Sequence, residues 1–173
     1  QGRPPDIVMS IGGPAAAFVQ YHRAELFPNA PMVLTTVEER LIDRASLTEQ
    51  DTVVAVRNDF VAAFHNVLQV LPDTRTIALV IGASTLEKFW LEEIKKDVEP
   101  LQDRVSFVWY NDLPFDDVLK RASALPPHTV LFWGLMSVDA AGAVHDGDRA
   151  LHRLRAVANA PIFCFEESFF GRD

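Results

Sequence analysis

A chain of 173 residues that is 49% hydrophobic and 23% charged carries enough apolar mass for a real core, which excludes a disordered polymer. A formal net charge of −8 and a pI near 5.0 exclude a surface built for nucleic acid or anionic lipid, because phosphate binding needs clustered Lys and Arg and the 16 basic residues here are scattered. Apolar runs such as Val130 to Met136 are far shorter than the roughly 18 to 20 residues that span a bilayer, and Cys164, the single cysteine, leaves no intrachain disulfide and no Cys-based metal site.

In chain order, Asp6 to Ile11 is an apolar β-type run ending in Gly12-Gly13, after which Pro14 opens a helical stretch to about Phe27. Pro31 to Val37 is a second strand, and the three pieces make a β-α-β unit with parallel strands. Glu38 to Asp51 is polar, lacks a period and reads as a connection to a short β-like run at Thr52 to Val56. Asn58 is placed to cap a helix in which Phe60, Val61, Phe64, Val67, Leu68 and Leu71 recur at the spacing of one buried face, and Pro72 marks its end. A regular alternation follows: strand Thr76 to Ile81, helix Thr85 to about Leu101, strand Val105 to Tyr110, helix Phe115 to Leu125, strand Thr129 to Trp133, helix Asp148 to Ala158 and strand Pro161 to Phe165. Ser84-Thr85-Leu86-Glu87 has the form of a capping box at the start of the first of these helices.

The expected fold is α/β with parallel sheets covered by helices, divided into a partial first lobe at residues 1–58 and a second lobe at 59–173; one continuous sheet of six or seven strands is the alternative. In open parallel sheets ligands bind beyond the carboxyl ends of the strands. That rule selects Gly12, Gly13, Thr36, Ser84, Thr85, Tyr110, Asn111, Gly134, Leu135, Glu166 and Glu167 as candidate ligand-binding residues, with Asn58 at the junction. Gly12-Gly13 before a helix offers N–H groups to a carboxylate or phosphate, or is simply a tight turn, since neither a dinucleotide nor a P-loop fingerprint is present. Ser84 is accounted for by capping, and Thr85 is the freer hydroxyl. Tyr110 and Asn111 pair an aromatic wall with a neutral amide, or form a turn with Asp112; Glu166-Glu167 suits a cationic or hydroxyl-rich ligand, with loop solvation as its rival.

Catalytic constellations are poor: there is no G-x-S-x-G elbow and no H-E-x-x-H, and the five histidines are dispersed. His145, Asp146 and Asp148 suggest a metal by eye, but acidic residues before a helix are ordinary caps and dipole complements, so neither metal nor cofactor is expected. Trp90 and Trp133 read as core, while Trp109 is undecided.

The segments DIVMSIGGPAA, TIALVIGASTLEKFW and APIFCFEESFFG together resemble the extracytoplasmic sensor regions of bacterial sensor histidine kinases. Those regions are similar to ABC-transporter substrate-binding proteins of the type I periplasmic-binding fold, and the resemblance covers nearly the whole chain. It implies two α/β lobes of which the first is incomplete here, with an opening strand and helix before Arg3-Pro4-Pro5 and a return segment both lying outside this sequence. It also implies a periplasmic location, a membrane-anchored parent chain, a small-molecule ligand of open class, and signalling by lobe closure without catalysis in this domain. A transporter's substrate-binding protein is the runner-up, and a flavodoxin-like or hydrolase-like enzyme using Ser84 or Glu166-Glu167 is a third reading. Open sheet edges would allow a homodimer.

Overall fold

Two residues in the first strand decide its layering: Val8 and Ser10 turn inward while Met9 and Ile11 turn out, as the period of two requires. This strand, β1 (Val8–Ile11), leads to α1 (Gly13–Tyr21), a single turn α2 (Arg23–Leu26), β2 (Met32–Glu38) and β3 (Thr52–Val56). The computed structural model describes residues 3–164 and Phe169. It divides the chain into two compact units, Gln1–Asp59 and Phe60–Asp173, and the strands form two separate parallel sheets rather than one continuous sheet.

In the first unit the order is β1-β2-β3, with α1 over one face. Ala16 and Val19 of α1 pack on Met32, Leu34 and Val37 of β2, and Ile42 completes the core. The expected helix to Phe27 breaks at His22, whose φ of −94° and ψ of 9° leave the helical range, and Arg23 beyond it is drawn to the buried Asp51 carboxylate. Arg23, together with the N–H groups of Thr48 and Met32, holds that carboxyl well below the usual carboxylate range although burial opposes ionisation. The polar connection is organised by two short 3-10 turns, Glu39–Leu41 and Arg44–Ser46, with Gln20 Nε2 donating to the Asp43 carbonyl at 2.8 Å.

The second unit begins with α3 (Phe60–Val70), followed by β4 (Thr76–Ile81), α4 (Thr85–Asp97), β5 (Ser106–Trp109), α5 (Phe115–Ala122), β6 (Thr129–Leu135), α6 (Gly147–Val157) and β7 (Ile162–Cys164). Its strand order is β5-β4-β6-β7. Alternation along the central strands feeds two cores. Ile77, Leu79, Ile81, Val130 and Phe132 pack with Phe60, Phe64, Leu68, Leu91 and Ile94 of α3 and α4. Ala78, Val80, Leu131 and Trp133 pack with Phe115, Val118, Ala150 and Leu154 of α5 and α6. Because both faces are covered, β4 and β6 read as continuous apolar runs, and each fully buried large side chain contributes about 1.5–3 kcal/mol. Strand β6 continues to Leu135, so Gly134 and Leu135 belong to the strand and not to the loop beyond it.

Candidate functional site

Connections leave β4 and β6 in opposite directions, toward β5 and β7, so the topological switch point of the second unit lies between the carboxyl ends of β4 and β6. Gly82 N–H donates to the Leu135 carbonyl at 2.8 Å and Ala83 N–H to the Val138 carbonyl at 2.7 Å, tying the two exits together. Ser84 caps α4: its hydroxyl accepts from Glu87 N–H at 3.3 Å, and Glu87 Oε2 accepts from Ser84 N–H at 2.8 Å. The other oxygen of the same carboxylate accepts from Ser137 N–H of the opposite loop at 2.5 Å. Glu87 is wholly buried.

A second carboxylate organises the loop after β6. Asp139 accepts N–H groups from Phe115, Ala141 and Ala143, each at 2.9 Å, and sits 3.0 Å from His145 Nε2. Burial opposes its ionisation, but the Phe115 N–H, the His145 ring and the N–H groups of Ala143 and Ala141 outweigh it and bring the pKa to about 2. Since Phe115 is the first residue of α5, Asp139 supplies that helix with the N-terminal partner that Pro114 does not. Asp146 caps α6 by accepting from Arg149 N–H at 3.0 Å. His145 and Asp146 thus serve the loop and the helix, and among the described residues no three His, Cys, Asp or Glu side chains are grouped to hold a metal ion.

In the first unit, Gly12 N–H donates to the Thr35 carbonyl at 2.9 Å, setting the β1–α1 turn against the end of β2. Gly12 has φ +85° and ψ 160°, a region that side chains other than hydrogen rarely enter. Its α1 N-terminus has no side-chain cap. Thr36 follows at a bulge in β2, exposed and held at φ 53°, an outlier for a β-branched residue. Glu38, buried at the end of the strand, accepts from Arg40 Nε and from Asn58 N–H, each at 3.0 Å.

The sequence-predicted residues therefore separate. Gly12, Gly13 and Thr36 come together at one edge, with Asn58 fastened to Glu38 in the same unit. Ser84 is engaged in capping and Thr85 is exposed beside it. Tyr110 is buried in the core with Phe115 and does not form an aromatic wall; burial pushes its phenol up while Arg121 partly offsets that, and Asn111 is half-buried. A Cβ on Gly134 would stand 3.4 Å from the Val80 carbonyl, inside the sheet. Glu166 and Glu167 lie outside the described residues. Trp133 lies in the core beneath α5 and α6, Trp90 is partly buried against the other core, beneath α3 and α4, and Trp109, also partly buried, stacks on Phe107 beneath Lys95. A depression of about 470 Å³ runs beside α6, lined by Leu151, Phe169, Asp148, His152 and Arg155 among others. Asp139 and the second role of Glu87 escaped the sequence reading; the signals were an Asp two residues before a small-residue turn at Ala141-Gly142 and a capping box with one oxygen to spare.

Compared with protein families, curated proteins and solved structures, the chain matches none. No helix among the described residues is long and apolar enough to cross a membrane.

Proposed function

We propose that the chain is the small-molecule-sensing domain of a two-component sensor histidine kinase, located in the periplasm, which recognises its ligand without transforming it. The order of its α/β segments and their resemblance to such sensor regions support this reading. One observation carries the choice of site: the first turn of α1 opens on Gly12-Gly13 without a side-chain cap, and Gly12 N–H is bonded to the carbonyl of Thr35, the residue before the strained, exposed Thr36. Uncapped N–H groups at a helix start favour an accepting group, and a strained residue at an edge is a cost retained where function requires it. The ligand's acceptor atoms therefore sit at Gly13 and Ala15, with the Thr36 hydroxyl orienting the rest. Binding then biases a conformational equilibrium through its extra contacts in one state.

Thermal unfolding against a metabolite panel tests the reading. A ligand at 100 times its Kd adds about 2.7 kcal/mol of stability, and Thr36→Val should shrink that gain without altering the unliganded fold. A panel of amino acids, sugars, polyamines and organic acids that shifts nothing would sink the proposal. If the parent polypeptide carries no kinase domains, the sensing role passes to a transporter's substrate-binding protein.

A further inference from the structure

We propose that the switch point of the second unit is a carboxylate-binding site which the chain fills with its own Glu87, so that Glu87 keeps anionic ligand groups out of it. The cradle is built from two separate elements. Ser84 N–H at the start of α4 meets Oε2 at 2.8 Å, and Ser137 N–H in the loop after β6 meets Oε1 at 2.5 Å. Its third wall is a missing atom: a Cβ on Gly82 would stand 2.5 Å from Oε2 and 2.6 Å from Oε1, so only glycine leaves room for the carboxylate.

Among the described residues no Lys, Arg or His pairs with Glu87, although it is 0% exposed. The charge is met by backbone N–H groups and the helix terminus alone, which is how α/β folds hold the anionic part of a ligand. The walls also have ties of their own. Gly82 N–H to Leu135 and Ala83 N–H to Val138 join the two exits without Glu87, and Ser84 remains on the α4 side. Shortening Glu87 therefore leaves a preformed hole rather than a collapsed one. Glu87→Ala removes a CH2–COO− group, which is acetate in size and charge.

The experiment is thermal unfolding of wild type and Glu87→Ala in rising sodium acetate, with sodium chloride at equal ionic strength as the control. The variant should melt below wild type and recover saturably in acetate, with no recovery in chloride and none from bulkier pivalate; wild type should not respond. A folded variant indifferent to acetate, or an acetate shift equal in both proteins, overturns the proposal. If Glu87→Ala does not fold, Glu87→Gln is read by amide hydrogen exchange. Faster exchange at Ser84 or Ser137 supports the cradle, and unchanged protection at both overturns it. None of these outcomes depends on the sensing ligand, so this site and the Gly12-Thr36 reading fail separately.

Discussion

The carboxyl edges of the two sheets solve the same problem in different ways. Around the four-stranded sheet, the helix starts are met by side-chain oxygens: Ser84 and Glu87 at α4, Asp139 at α5 and Asp146 at α6. At the three-stranded sheet, α1 opens on two glycines and a proline with no such partner. A capped start is stabilised but occupied, whereas an uncapped one leaves N–H groups in need of an acceptor. The same contrast runs through the layers. Both faces of β4 and β6 are buried, while Met9 at 63%, Ile11 at 70% and Val54 at 58% exposure share the face of the smaller sheet away from α1.

Core substitutions should sharpen this contrast most. Phe132→Ala, which empties a fully buried site between α3, α4 and the sheet, should lower stability by about 3–5 kcal/mol in denaturant unfolding. Ile11→Thr should change it by less than about 0.5 kcal/mol, and an equal loss for the two would break the distinction between covered and open faces. The next effect concerns the occupied edge. Asp139→Ala strands the buried Phe115 N–H and the part-buried Ala143 N–H and should cost about 1–3 kcal/mol, seen as faster amide exchange at both. Because the folded carboxyl titrates near 2 against 3.8 as its ordinary value, wild type should keep this contribution above about pH 4 and lose it as pH falls through 2. The variant should lack that acid-dependent part, and identical acid limbs for the two proteins would remove Asp139 from the account. The smallest effect belongs to the strained edge. Thr36→Gly should relieve the positive φ and raise stability by up to about 1 kcal/mol while weakening any ligand response; a loss of stability would show that the hydroxyl has a structural task.

Much of the fold was legible in residues with a clear period. Thr76 to Ile81 is the observed β4 to the residue, and Ser84 to Glu87 announced the α4 start, because both signals are local. Element ends were less legible. The first long helix stops early since Arg23 pairs with Asp51, a partner 28 positions away, and β6 runs on past an irregularity at Gly134 because Leu135 pairs again with Ile81 of β4. Tyr110 looked like a ligand wall at a strand end, yet packing beneath α5 put it in the core.

By itself, the sequence determined that this is an α/β chain of parallel strands, where its strands and helices lie, and that Gly12-Gly13 opens a helix. Only the tertiary structure decided that the strands form two sheets, and that Glu87 spans two loops and Asp139 serves a helix start 24 residues before it. The reason is one of range: periodicity and capping are written in neighbouring residues, whereas a buried carboxylate chooses among N–H groups that meet only after the sheet has formed.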